Sequence, residues 1–311
     1  MLLNYNGWEL LDAALPSVTA QRFDDYEVIV VDNGSSDGSI AGLARGWPSV
    51  RVVALPENVG VTAALNRMVQ AASGEYVALL NNDVELSPDW LGVLAEALDR
   101  DPRLASVAGK LLRMDAPEII DRAGDTLAWS SACHGRGAGV RDEGQYDAPA
   151  EVFCVGGAAA LYRRSVFEEI GGFDEQFFAY LEDVDWGFRA RLAGYVSRCE
   201  PAAVGLHRGG ATLGEINAFS LFYLRRNQAW LVIKNYPASR MLLHLPQLIA
   251  FNVLQLAIAT RKGHGRLVLR AYRDALAGLG EVLRKRRRIQ AGRRLSPREL
   301  DAALSRATPQ R

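Results

Sequence analysis

Residues 26–37 read Tyr26-Glu-Val-Ile-Val-Val31-Asp32-Asn-Gly-Ser-Ser-Asp37. A near-continuous apolar run that stops at an acid suits a parallel strand buried on both faces, where no solvent side demands alternation. Two further runs follow the same plan: Val50-Arg-Val-Val-Ala-Leu55, and Tyr76-Val-Ala-Leu-Leu80 ending in Asn81-Asn82-Asp83. Helical periodicity fills the intervals at 7–21, 37–46 and 59–73 and returns at 88–100, where Ser87 suits a cap and Pro88 a first helical position. Strand–helix alternation at this spacing predicts an α/β fold, with a Rossmann-like, mostly parallel sheet flanked by helices. Met1-Leu-Leu-Asn4 supplies only the end of a first strand, so the sheet is expected to be clipped there.

In open α/β sheets the ligand crevice lies beyond the carboxyl ends of the strands. Polar residues gather at those ends: Asn4 and Asn6, Asp32 to Asp37, Asn58 to Gly60, and Asn81 to Asp83. Each cluster alone is ordinary turn chemistry. Four on one edge point to a binding site. Downstream, 104–160 loosens into short strands and Gly-rich turns, helices resume at 164–170 and 182–193, and 195–204 reads as a strand. After His207 the pattern is helical, at 215–235, 239–261 and 265–290.

Composition narrows the class. The 311 residues are 49% hydrophobic and 23% charged, which excludes a disordered or collagen-like chain. Cys133, Cys154 and Cys199 are odd in number and lack CxxC spacing, so a reducing compartment is expected and a structural zinc site is not. Asn4, Asn6 and Glu9 interrupt any leader-like apolar run. The zero net charge hides a split: residues 238–311 hold 16 Lys+Arg against 4 Asp+Glu, and the preceding 237 hold 20 against 32. A basic tail on an acidic body suits an anionic partner.

Three places carry possible chemistry. Asp83, at the end of a buried strand, suits a divalent cation held against a diphosphate, or else merely caps a turn. Glu182, Asp183 and Asp185 open an amphipathic helix, where acids also simply favour the helix dipole, and Asp185 stands four residues before Arg189. His207 precedes Arg208-Gly209-Gly210, a loop able to accommodate an anion, although an isolated histidine is commonly structural.

Taken together these pieces resemble glycosyltransferase family 2, with the GT-A fold, over residues 1–212. The resemblance rests on Val30-Val-Asp-Asn-Gly-Ser-Ser-Asp37, Asn58-Val-Gly-Val-Thr-Ala-Ala-Leu-Asn66 and Gly74-Glu-Tyr-Val-Ala-Leu-Leu-Asn-Asn-Asp83. It continues in Val155-Gly-Gly-Ala-Ala-Ala-Leu-Tyr-Arg-Arg164 and Gly171-Gly-Phe-Asp-Glu-Gln-Phe-Phe-Ala-Tyr-Leu-Glu-Asp-Val-Asp185, with wording most similar to the rhamnosyltransferase-like branch. The resemblance implies a nucleotide-sugar half at 1–110, an acceptor half at 111–212, and a helical region at 213–311 for membrane association or oligomerisation. It implies that Asp32, Asn4, Asn6, Asn58 and Asn81 line the donor pocket. Asp83 and His207 would hold Mg²⁺ or Mn²⁺, and Arg208 would touch the leaving diphosphate. Asn81 departs from the family's first Asp, so it brings no charge to the metal. Asp183 matches the catalytic base, with Glu182 beside it, and Gly156, Gly157 and Trp186 would meet the acceptor. With one base and no separate nucleophile, the expected reaction is a single in-line displacement with inversion.

The expected activity is transfer of a sugar, such as L-rhamnose from dTDP-rhamnose, to a glycan or lipid-linked acceptor in cell-surface polysaccharide assembly. A UDP-hexose donor is the alternative within the family, and a non-catalytic nucleotide-sugar-binding module the alternative outside catalysis. A dehydrogenase is disfavoured because no GxGxxG follows the first strand. Residues 241–260 are uncharged but interrupted by His244, Pro246, Gln247, Asn252 and Gln255, short of a clean membrane span. With Arg261, Lys262 and the Arg284-Lys-Arg-Arg-Arg288 run downstream, the tail suits a helix lying on anionic lipid at the cytoplasmic face. A helical hairpin packed on the body or on a second subunit is the alternative, and residues 213–290 offer such a homo-oligomer an interface. Nucleic acid is not expected, for no aromatic residues interleave the basic run.

Overall fold

The computed structural model describes residues 1–156, 158–209 and 217–304. The first half runs β1 (Leu2–Asn4), α1 (Trp8–Thr19), β2 (Ile29–Asp32), α2 (Ser39–Gly46), β3 (Arg51–Ala54), α3 (Val61–Ala71) and β4 (Tyr76–Asn81). Next come β5 (Val84–Leu86), α4 (Trp90–Arg100), β6 (Leu104–Arg113), β7 (Ala116–Arg122), β8 (Asp125–Leu127), β9 (Cys133–Gly135), β10 (Ala150–Val152) and β11 (Ala159–Arg163). Helix α5 (Arg164–Ile170), one 3-10 turn at Glu175–Phe177, α6 (Glu182–Leu192) and β12 (Val196–His207) complete the sheet-bearing body. Helices α7 (Ala218–Asn235), α8 (Ala238–Leu243), α9 (Leu245–Arg261), α10 (Gly265–Ala277), α11 (Leu279–Ala291) and α12 (Pro297–Ala303) follow.

Among the described residues ten strands share one sheet, with the spine β10-β12-β6-β11-β4-β1-β2-β3. The β4-β1-β2-β3 block is parallel, as is β6 with β12, while β11 is inserted antiparallel between β4 and β6. This is the mostly parallel, helix-flanked sheet that the strand pattern predicts. The unbroken apolar run of β2 is explained by its two covered faces. Val30 packs with Leu2, Leu80 and Trp90 on one side, and Ile29 and Val31 pack with Val77, Leu79 and Met68 on the other. Side chains alternate along a strand, so both registers must be apolar when both faces are buried. The register sets Asn4 opposite Asp32 and Leu3 opposite Asn81, which brings the polar strand ends to one edge.

Several local expectations are corrected. Helix α4 starts at Trp90 rather than Pro88, because residues 87–89 form a turn: Ser87 O accepts from the Trp90 amide, and Pro88 O from that of Arg22. Strand β6 is ten residues long, not one of a set of short strands, because both its faces are covered. The 239–261 helix breaks at His244, where Pro246 brings no amide and the His244 ring stacks on Trp129. The 265–290 helix breaks at Gly278, where a Cβ would stand 2.6 Å from Trp230.

The carboxy-terminal helices share a core with the body. Leu231, Tyr236, Leu248, Leu300 and Leu304 pack with Phe153, Val184, Phe188 and Leu192 of the sheet-bearing part. The boundary expected at 212/213 lies outside the described residues. Part of the basic run is also turned inward: Lys285 binds Asp174, and Arg286 donates to the carbonyls of Ile233 and Tyr236.

Candidate active site

Carboxylates and amides at the strand ends are tied together before any ligand arrives. Asp32, at the end of β2, is 1% exposed; its oxygens accept from the Ser35 amide at 2.8 Å and from Asn4 Nδ2 at 2.9 Å. Asn4 is fully buried and also accepts from Asn82 Nδ2 at 2.9 Å. Asn4 thus serves as a strut that orients Asp32 and Asn82. Exposed Asn6, held at φ 48°, accepts from the Ser36 amide. Asn33 braces the next loop, accepting from the Val59 amide and donating to Asn58 Oδ1. Exposed Asn58 and Asn81 rim the same edge, so Asn6, Asn58 and Asn81 are among the polar groups open to solvent there.

A second corner forms where β12 returns beside β5. His207 pairs with Val84 across the sheet, so its ring comes beside Asp83. His207 Nε2 stands 3.4 Å from Asp83 Oδ1, and its Nδ1 stands 3.0 Å from Asp121 Oδ2. Asp83 Oδ1 is buried and accepts no hydrogen bond among the described residues. Burial works against a charged imidazole, but its hydrogen bond to Asp121 and the facing Asp83 carboxylate outweigh it and lift His207 to about 9. A carboxylate behind a histidine fixes the ring and aims its other nitrogen, the usual support of a metal-ligating imidazole.

The resemblance implies a divalent ion here, and this corner fits one. An unused buried carboxylate oxygen and an oriented imidazole nitrogen face each other, and once an incoming cation displaces the imidazolium proton they form a donor set that suits Mn²⁺ or Mg²⁺. No trio of His, Cys, Asp or Glu among the described residues is placed to hold an ion alone. A cation held here would have two protein ligands and would take the rest from other oxygens, such as water, as such cations commonly accept. Exposed Arg208 follows at once, its amide donating to Asp83 O at 3.0 Å.

The acid pair opens α6. Glu182 is buried, its Oε2 lacks a hydrogen-bond partner among the described residues, and desolvation followed by the nearby Asp183 raises it to about 8. It therefore carries its proton at neutral pH. Asp183 is half-buried, and its Oδ1 accepts from the Val184 amide. Two adjacent carboxyls in unlike surroundings take unlike roles, and the accessible one is suited to receive a proton. Between about pH 4.5 and about pH 8 the folded chain holds a proton on Glu182 that the unfolded chain releases, so this residue's contribution to stability falls as pH rises. Glu182→Gln is expected to melt progressively higher than the parent as pH climbs through that window. A melting difference that does not change with pH would mean that Glu182 is ionised in the fold.

Beside the acids lies a pair that the motifs did not reveal. Arg122 Nη1 bonds Asp125 Oδ2 at 3.1 Å. Asp125 raises the Arg122 pKa against the cost of burial, and Asp183 adds to the rise. Burial lifts Asp125 to about 6, with Arg122 pulling it down and Asp183 pushing it up. Asp121 acts on both members of the pair, so Arg122 and Asp125 stand in the fields of both Asp121 and Asp183.

One acceptor expectation changes. Trp186 is fully buried among Phe167, Phe173 and Tyr162, so it is a core residue and presents no face to an acceptor. A Cβ on Gly156 would meet Arg122 Nη1 at 2.0 Å, so the space beside this glycine is taken by the arginine. Gly157 lies outside the described residues. Asp185, the third acid of α6, is fully buried and paired with Arg189 at 3.0 Å, in keeping with their four-residue spacing.

The family described as Glycosyl transferase family 2 matches residues 2–171. A curated relative from Mycobacterium tuberculosis, N-acetylglucosaminyl-diphospho-decaprenol L-rhamnosyltransferase, is 29% identical over 242 residues, covering 68% of this chain and 76% of the relative. Among solved structures, a mannosyltransferase from Pyrobaculum calidifontis in complex with GDP-Man and Mn²⁺ superposes with a TM-score of 0.56 at 19% identity, over 94% of this chain and 83% of that one. GalNAc-T7 with UDP, GalNAc and Mn²⁺ gives 0.60 at 17% identity over 75% of this chain, which spans about half its length (47%). At these identities the two structures bear on the fold alone.

Proposed function

The chain belongs to glycosyl transferase family 2, and we propose that it is an inverting, metal-dependent enzyme that moves L-rhamnose from dTDP-rhamnose to a lipid-linked sugar acceptor in cell-surface polysaccharide assembly. The observation that carries the reading is the pairing of a two-ligand metal corner, Asp83 with Asp121-oriented His207, with the accessible Asp183 at the mouth of α6. The rhamnosyl donor and lipid-linked acceptor take their support from the name of the mycobacterial relative.

In this reading Asn6, Asn58 and Asn81 bind the nucleoside edge and Asp32, braced by Asn4 and Ser35, shapes its floor. Asp83 and His207 would hold the divalent ion, which when bound acts as a Lewis acid on the departing diphosphate. Arg208 adds positive charge where the leaving group collects negative charge. Asp183 takes the proton of the acceptor hydroxyl as that oxygen bonds to the anomeric carbon, since a hydroxyl is a poor nucleophile until it loses its proton. Arg122 and Asp125 border that position and are suited to fix polar groups of the acceptor.

A thermal-shift panel of dTDP, UDP and GDP with and without Mn²⁺ tests the donor site, because a ligand that binds only the folded state stabilises it by about 2.7 kcal/mol at a hundredfold excess over Kd. The expected result is stabilisation by dTDP that requires Mn²⁺ and is lost in Asp83→Asn. Stabilisation by UDP instead would favour the hexose donor, and no response to any nucleotide would overturn the reading.

The tail supports work at a membrane surface. No helix among the described residues is long and apolar enough to cross a membrane. Yet Leu242, Ile249, Val253 and Leu254 are 55–67% exposed along α8 and α9, and Leu269 and Leu276 are likewise exposed on α10. Of the α9 residues, only Leu248 and Ala259 are buried. Arg261, Lys262, Arg266 and Arg270 stand exposed beside this surface. Apolar side chains rimmed by cations suit an interfacial helix on anionic lipid, where each basic residue adds about 1 kcal/mol. Co-flotation with anionic vesicles is expected, weakened by raised salt and by Val253→Asp with Leu254→Asp. A protein that stays off anionic vesicles at physiological salt would sink this part of the proposal.

A further inference from the structure

Three of the four residues immediately before the acid pair hold positive-φ backbone: Phe178 at φ 63°, Tyr180 at 69° and Leu181 at 65°. None is glycine, so each pays a steric cost, and such a run persists only where its surroundings over-determine it. Here the surroundings come largely from one helix. Asn227 of α7 is fully buried, and its single Nδ2 group lies 3.0 Å from Phe177 O, 2.8 Å from Ala179 O and 2.8 Å from Tyr180 O. Its neighbour Arg226 donates to Gln176 O at 2.9 Å and to Phe177 O at 3.0 Å. The Phe178 ring stacks on Tyr223, one helical turn earlier in α7, with centroids 5.2 Å apart. On its far side Phe178 fills the space above Gly60, where a Cβ would come within 2.6 Å of the ring. The loop is therefore held between the donor half of the body and the first helix of the carboxy-terminal region.

We propose that Asn227, with Arg226, is a positioning residue for catalysis, holding the strained 177–181 loop so that Asp183 is presented to the acceptor. Four carbonyls of a short loop point at two side chains of α7, and the helix bearing the base begins at the loop's last residue. Releasing those carbonyls lets Phe178, Tyr180 and Leu181 relax toward right-handed backbone, and that rotates the start of α6. The carboxy-terminal helices are by this account part of the catalytic apparatus. The proposal rests on the assignment of Asp183 as the base.

The test compares Asn227→Leu and the milder Arg226→Lys with the parent in steady-state transfer, nucleotide binding and hydrogen exchange. A displacement of the base by about 1 Å is expected to lower kcat by about 10²-fold in Asn227→Leu. The donor KM and the affinity for nucleotide with Mn²⁺ are expected to stay at parental values, and amides 178–183 to exchange faster while β1 to β4 keep their protection. Arg226→Lys is expected to show the same split at smaller size, and it decides the matter if Asn227→Leu does not fold. Loss of nucleotide affinity in step with kcat, or a loosened loop with undiminished kcat, would overturn the proposal. Asp183→Asn measured alongside separates the two assignments: if it retains transfer, the base is wrong, whatever Asn227 does.

Discussion

Asp183→Asn is expected to lower transfer by about 10²–10⁴-fold while nucleotide binding stays at the parental level. The amide nearly matches the carboxylate in shape, so the packing around α6 has no reason to change. What is lost is the capacity to accept a proton from the acceptor hydroxyl. Glu182 cannot stand in, because burial and the charge of Asp183 keep its own proton on up to about pH 8. Once residue 183 is neutral, one contribution to that rise disappears and Glu182 ionises at lower pH than in the parent, so a weak residual activity that grows as pH rises toward about 8 is the one rescue available. The check is kcat for transfer together with the Mn²⁺-dependent thermal shift on the same preparation. Loss of both would assign Asp183 to the architecture rather than to the chemistry.

The second large effect is on stability. Lys234 of α7 is 1% exposed, with Nζ 2.5 Å from Asp174 Oδ2 and 2.8 Å from Asp185 Oδ1. The other oxygen of Asp174 is held by Lys285 at 2.6 Å, so two helices of the tail converge on the acids that flank the 177–181 loop. Burial would raise Asp174, but Lys234 and Lys285 overcome it and hold this carboxyl down to about 2. Removing one partner of a buried ionic group leaves charge unpaired, at about 3–5 kcal/mol, so Lys234→Met is expected to lose an amount of that order in urea unfolding. The pH dependence follows from the depressed folded value. The contribution of Asp174 is complete above its ordinary 3.8 and fades as pH falls toward about 2, so the deficit of the variant should shrink in acid. A cost near zero at neutral pH would mean that Arg189, Asn235 and Lys285 suffice for the two aspartates.

The parts of this site visible in the amino-acid sequence share a physical cause. A strand buried on both faces must be apolar throughout, so its end is marked sharply by the first polar residue, as at Asp32 and at Asn81 to Asp83. The shared polar edge at the strand ends, with Asp83 on it, could be read for that reason. Asp121, Arg122 and Asp125 could not, because β7 and β8 are short, half-covered strands with no periodicity to set three charges apart. The partner of Asp121 is His207, 86 residues away. Trp186 misled for the converse reason. Helix α6 is buried on nearly every side, so an aromatic beside its acids looks the same in sequence whether it faces a ligand or the core. In the tail, helical content was plain from the pattern, but the inward turn of Lys285 and Arg286 depends on acids and carbonyls of other helices, which a local charge run does not disclose.

The measurement that bears most directly on the central claim is the anomeric configuration of the product. The parent protein would be given dTDP-rhamnose, Mn²⁺ and a lipid-linked sugar diphosphate in anionic vesicles, and the new linkage read by NMR. One accessible carboxylate acting as a base predicts a single displacement: rhamnosyl transfer that needs both metal and acceptor, with configuration opposite to that of the donor. Retained configuration would require a covalent or front-face route that this arrangement of Asp183, Asp83 and His207 does not provide. Nucleotide sugar bound with metal yet never turned over would contradict the account at its root, and would make the chain a binding module on a transferase fold.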